Sequence, residues 1–238
     1  MTEELFRDDA TLARCDARIV ALAEGGVILD RTVFYPLGGG QSGDSGMLML
    51  GDGRPVAVLD TRKSKERPGD IVHLVAAADL AALAEGARVE ARIDIERRQA
   101  HRRFHTATHL LCALVPHPVD GCSITKDYAR LDFHMHELLD KEALTAGIAR
   151  LVAEAHPVRH RWISEAELDA QPGLVRSMSA QPPRGLGRVR VLEIEGVDLQ
   201  PCGGTHVANT LEIGRVVVTR IEKKSAMTRR VVLGFAPA

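Results

Sequence analysis

Phe104-His105-Thr106-Ala107-Thr108-His109-Leu110-Leu111 lies where the chain changes its period. From Glu96 to Val115 the residues Phe104, Ala107, Thr108, Leu111 and Leu114 recur at helical spacing. Pro116 ends the pattern, because proline has no amide for a further turn and its ring collides with the turn before it. On a helix, positions i and i+4 share one face about a turn apart, so His105 and His109 can grip a single ion. Taken in isolation, such a helical histidine pair is more often a half-buried or surface face.

Upstream, to about residue 94, the chain reads as β-rich. Strand candidates are Ala17–Leu22, Val27–Asp30, Met47–Leu50, Pro55–Thr61, Asp70–Leu74 and Arg88–Ile93, with Gly, Pro and Asp between them. Short strands so punctuated suggest a small barrel or sandwich. Downstream, Tyr128–Phe133 is strand-like, and a second helix is expected from Glu137 to Ala155 with Leu138, Leu144, Ile148, Leu151 and Val152 on one face. Ser164-Glu165-Ala166-Glu167 is a capping-box start, and Arg188–Ile194, Arg215–Ile221 and Arg230–Gly234 are further strand candidates. Gln171–Gly187 reads as an exposed loop. The fold class is α+β, with a β domain over 1–94 and an α+β domain over 95–238.

Cys202-Gly203-Gly204-Thr205-His206 places a second pair of metal-binding side chains four apart, between strand-like stretches. Its glycines allow a sharp turn and close backbone approach. The two runs together offer one thiolate and three imidazoles, a set that suits tetrahedral zinc. His101, one turn before His105, and Cys112, three residues after His109, compete for the same site on spacing alone. A peptidase is disfavoured, since Thr106, Ala107 and Thr108 stand where a His-Glu-x-x-His motif needs its glutamate base.

Gly38-Gly39-Gly40-Gln41-Ser42-Gly43-Asp44-Ser45-Gly46 lacks the lysine of a phosphate-binding loop and is followed by a strand rather than a helix. Gln41 and Asp44 on such a loop can face a pocket. Basic residues flank both metal runs: Arg97, Arg98, Arg102 and Arg103; Arg184, Arg188 and Arg190; Arg215, Arg220, Lys223, Lys224, Arg229 and Arg230. An RNA backbone needs such local charge around a reaction centre. Bulk charge gives no such pointer, because 31 basic and 32 acidic residues leave a formal charge of −1. Aromatics make up only 3% of the 238 residues, so the core rests on Val, Leu, Ile and Ala. The acidic start lacks a signal-peptide pattern, no apolar run approaches the roughly 18 residues a membrane span needs, and the four cysteines are scattered. These features lead to the expectation of a cytoplasmic protein with no membrane partner.

In this order the motifs resemble the editing domain of alanyl-tRNA synthetases and its free-standing AlaX-type relatives. The matching pieces are the Gly38–Gly46 loop, Phe104–Leu111, Arg130-Leu131-Asp132-Phe133 and Pro201-Cys202-Gly203-Gly204-Thr205-His206-Val207, with a weaker match from Ile213-Gly214 to Arg229-Arg230. The resemblance implies that His105, His109, Cys202 and His206 hold one Zn2+ per chain. It also implies an N-terminal β-barrel and hydrolysis of mischarged tRNA(Ala), chiefly Ser-tRNA(Ala) with Gly-tRNA(Ala) second, without aminoacylation. Thr106, Thr108, Thr205 and Gln41 are then candidates for substrate contact. Arg102, Lys223, Lys224, Arg229 and Arg230 are candidates for RNA contact. The zinc then either activates a held water or fixes the ester carbonyl for attack, with no side-chain base assigned. The alternatives are a non-catalytic zinc-stabilised tRNA-binding module and editing of Ser-tRNA(Thr). Two departures, Ser225-Ala226-Met227-Thr228 in place of a glycine-rich link and Val119-Asp120-Gly121-Cys122-Ser123 in place of a glutamine-bearing run, bear on discrimination and RNA contact.

Overall fold

Alternation of side chains writes the first strand: in Arg14–Ala23 the residues Ala17, Ile19 and Ala21 are buried while Arg18, Val20 and Leu22 face solvent. In the computed structural model, residues 1–178, 181, 182, 185 and 187–237 are described. Among them no helix is long and apolar enough to cross a membrane. The chain divides into two compact units, Met1–Gly38 with Ser42–Gln99, and Gly39–Gln41 with Ala100–Ala238.

The first unit is built on a seven-stranded antiparallel sheet. Its order is Pro55–Val58, Gly46–Leu50, Arg88–Ile93, Arg14–Ala23, Gly26–Leu29, Ile71–Leu74, Asp60–Lys63. Val27, Leu29, Leu48, Val58, Val89 and Ala91 form its core. The expected barrel is corrected here, because the ladder is open. Its end strands, Pro55–Val58 and Asp60–Lys63, follow one another through Leu59 and share no ladder pairing among the described residues. Pro55–Thr61, expected as one strand, breaks at this residue, whose amide turns to the Leu74 carbonyl at 2.8 Å.

Helix α1 covers Ile95–Leu114. In the second unit its apolar stripe of Phe104, Ala107, Leu110 and Leu111 is fully buried. It shares a core with helix α2, Lys141–Ala153, and with a four-stranded antiparallel sheet. That sheet runs Val119–Ile124, Ala129–His134, Thr228–Phe235, Val216–Ser225. Helix α2 starts later than the sequence suggests: Asp140 caps it by accepting the Ala143 amide at 2.9 Å, which leaves Leu138 outside and 93% exposed. A three-stranded antiparallel sheet of Val158–Ser164, Arg188–Ile194 and Asp198–Pro201 carries the chain into the Cys202 turn. The capping box at Ser164 forms as read, opening helix α3, Glu165–Asp169. Within Gln171–Gly187, residues 179, 180, 183, 184 and 186 lie outside the described residues, and Arg184 is among them.

Candidate metal centre

The i, i+4 spacing on α1 stacks His105 over His109 with ring centroids 5.6 Å apart. The second pair arrives from the sheet. Cys202 continues the ladder past Pro201, its amide donating to the Arg190 carbonyl at 3.1 Å. The chain then turns through Gly203 and Gly204, and the Arg190 guanidinium ties the turn by donating to the carbonyls of Cys202 and Gly204 at 2.9 and 3.1 Å. Gly204 has no substitute at this point, since a Cβ there would stand 2.1 Å from Cε1 of His105.

His105, His109, Cys202 and His206 each bring one donor atom, all within 4.8 Å of one another. Sγ of Cys202 lies 3.4 Å from Nε2 of His105 and 3.2 Å from Nε2 of His206. Zinc bonds of about 2.3 Å to sulfur and 2.0–2.1 Å to nitrogen, set tetrahedrally, need such donors roughly 3.5 Å apart. The residues therefore fit a zinc ion in number, chemistry and spacing. His101 and Cys112 lie outside this group.

Each imidazole turns its other nitrogen outward to a different acceptor. Nδ1 of His109 meets the Asp198 carboxylate at 2.8 Å, Nδ1 of His105 meets Oε1 of Gln41 at 2.8 Å, and Nδ1 of His206 meets Oγ1 of Thr106 at 3.3 Å. Such partners fix the tautomer and leave Nε2 free to bind. The Asp198 carboxylate is itself held by Nε2 of Gln200 at 2.8 Å and by Arg176 at 3.5 Å.

Electrostatics separates the cysteines. Burial resists ionisation of Cys202, yet the neighbouring His105 and His206 charges hold its thiol well below the ordinary 9.0. Burial pushes Cys112 up to about 12, leaving it a neutral thiol. Burial works against a charged His109 too, but hydrogen bonds to Asp198 and Cys202 outweigh it and raise its pKa to about 10. Burial drives His206 the other way, well below the ordinary 6.5, so it favours the neutral ring, and His109 is the imidazole whose proton is held beside the thiolate, a charge that a cation can replace.

The threonines among the ligands are buried and bonded internally. Thr106 donates to the Arg102 carbonyl at 2.9 Å, and Thr108 donates to that of His105 at 2.7 Å. The Thr205 amide donates to Oε1 of Gln41 at 3.1 Å. The exposed side of the cluster is at half-buried Cys202 and exposed Gly203.

The basic residues divide similarly. Arg102 is buried and donates to the His206 carbonyl at 2.8 Å. Arg229 is buried and clamps the carbonyls of His136, Glu137 and Ser225. Lys223 and Lys224 are exposed, and Arg230 is partly exposed against Asp132 at 2.7 Å. Asp198, Gln200 and Arg176 are site residues that the sequence reading missed, and Arg190, read there as a flanking charge for RNA, ties the Cys202 turn instead. Their only signal is proximity of Asp198 and Gln200 to the Cys202 run.

Residues 189–232 match the family described as the threonyl and alanyl tRNA synthetase second additional domain, and residues 7–97 match the class II (A) tRNA synthetases. The alanyl-tRNA editing protein AlaX-M of Methanosarcina barkeri is 34% identical, covering 97% of each chain. That of Saccharolobus solfataricus is 30% identical over 100% of both. The alanine–tRNA ligase of Pyrococcus furiosus is 34% identical over 100% of this chain, which spans only 26% of that enzyme.

Proposed function

The chain belongs to the AlaX-M alanyl-tRNA editing proteins, and on that premise we propose that it is a zinc-dependent hydrolase that deacylates mischarged tRNA(Ala) in trans, Ser-tRNA(Ala) first and Gly-tRNA(Ala) second. The observation that carries this reading is the convergence of one thiolate and three oriented imidazoles within 4.8 Å. The task has a physical rationale. Serine differs from alanine by a hydroxyl, which a small apolar synthetase pocket rejects only about a hundredfold, so fidelity calls for a second site.

His105, His109, Cys202 and His206 would hold the ion, and zinc when bound supplies a Lewis acid beside the ester. With all four protein donors on the ion, its Lewis acidity would reach the ester only through a fifth position, and the chain's own groups would have to present the aminoacyl end at the exposed Cys202–Gly203 side. The buried Thr106, Thr108 and Thr205 back the two metal-binding runs while their hydroxyls stay in internal hydrogen bonds. RNA contact falls to cations left at the surface, Lys223, Lys224 and Arg230, rather than to Arg102 and Arg229. Work in the cytoplasm, where charged tRNA is available, is part of the same proposal.

The test is deacylation of Ser-tRNA(Ala) and Ser-tRNA(Thr). Turnover of the alanine tRNA, lowered at least a hundredfold in Cys202→Ala and His105→Ala, is expected. Wild-type rates in those variants would overturn the metal assignment. Binding of tRNA with no turnover of either substrate by the wild type would favour the non-catalytic module.

A further inference from the structure

Gln41 is fully buried, in a segment that the fold assigns to the second unit. The segment lies against the strand Val119–Ile124: Gln41 bridges Ile124 in parallel, and the Ile124 amide donates to the Gly40 carbonyl at 2.7 Å. Gly40 permits this approach, with φ +82° and a site where a Cβ would stand 2.7 Å from Sγ of Cys122. The side chain is pinned from the other side as well. Oε1 meets Nδ1 of His105 at 2.8 Å and accepts the Thr205 amide at 3.1 Å, while Nε2 donates to Oγ1 of Thr205 at 3.0 Å. One amide thereby joins both metal-binding runs.

We propose that Gln41 is a positioning residue of the metal centre. Its carbonyl oxygen holds His105 as the Nδ1–H tautomer with Nε2 turned toward Cys202, and its hold on Thr205 fixes the turn between Cys202 and His206. The glycine-rich loop then serves the ion through Gln41, in place of the substrate contact suggested by its sequence. This inference rests on the zinc reading above, and the experiment separates the two.

Zinc affinity of the purified full-length protein is measured by competition with a chromophoric chelator, with apo-protein unfolding followed in parallel. Gln41→Leu keeps the volume and removes the acceptor. Gln41→Glu keeps an acceptor for Nδ1–H and for the Thr205 groups. A positioning role predicts zinc binding weakened about 10- to 100-fold in Gln41→Leu and held within about threefold of wild type in Gln41→Glu. A packing role predicts the reverse order, because Leu fills the space and a buried carboxylate disrupts it. That reversed order, or equal affinity in wild type and Gln41→Leu, overturns the proposal. Should Gln41→Leu fail to fold, Gln41→Asn, one methylene shorter, replaces it with the same expected loss. A wild type that binds no zinc overturns the metal reading, and this inference with it.

Discussion

Each unit buries a polar cluster, and the two are built to different ends. In the first unit Arg98 and Asp44 are both fully buried and satisfy each other. Nε of Arg98 lies 3.1 Å from the Asp44 carboxylate, its other nitrogens reach the carbonyls of Ala10 and Val33 at 3.0 and 2.6 Å, and Asp44 also accepts the Tyr35 amide at 2.7 Å. In the second unit the imidazoles of His105, His109 and His206 use one nitrogen outward and turn the other toward the Cys202 sulfur. Burial penalises both clusters alike. A closed set of partners marks a group that holds the fold. Donors aimed at one common point mark a group that holds something else.

The largest test of that contrast is Asp44→Ala, which strands a buried guanidinium. Urea unfolding is expected to show a loss of about 3–5 kcal/mol, the same with and without zinc, and a zinc-dependent loss would dissolve the distinction. The double change Arg98→Met with Asp44→Leu should recover most of it, since apolar pairs replace closed ion pairs well. Next comes zinc itself. At a hundredfold excess over Kd the wild type should gain about 2.7 kcal/mol and Cys202→Ala should gain nothing, so a shared gain would place the ion elsewhere.

The smallest test is a pH slope in the first unit. His73 is fully buried, with Nδ1 facing the Val27 carbonyl at 3.3 Å and Nε2 against the Thr32 hydroxyl at 2.7 Å, and burial pulls its pKa from 6.5 down to about 4. The unfolded chain therefore takes up the proton first. Stability from neutral His73 is complete above pH 6.5 and falls as pH drops toward 4. The loss between pH 7 and pH 5 comes to about 2 kcal/mol. Parallel unfolding of wild type and His73→Gln measures it, and identical slopes would show that the ring titrates freely.

The sequence disclosed what has a short period. Helix α1 followed from its apolar spacing, the Cys202 turn from its two glycines, and helix α3 from its capping box. The barrel was an inference from strand spacing and resemblance, and spacing does not say whether the end strands meet. The strand Val158–Ser164 escaped because Arg159, His160, Arg161 and Trp162 are all exposed, so its burial has no alternation to read. Val119–Ile124 escaped for a related reason, having a glycine and mostly half-buried residues. Asp198 and Gln41 are site residues by virtue of partners 89 and 64 positions away. No local pattern encodes such pairings, and only the folded chain brings them together.

The bond from Gln41 to Thr205 spans 164 positions. At translation speeds of about 5–20 residues per second, the amide waits on the order of ten to thirty seconds for its partner to be made. His105 arrives much sooner, 64 positions on. The cell therefore meets a nascent chain with two imidazoles and an orienting amide before the thiolate and the last imidazole exist. The four-donor cluster is complete only once Cys202 and His206 have been made.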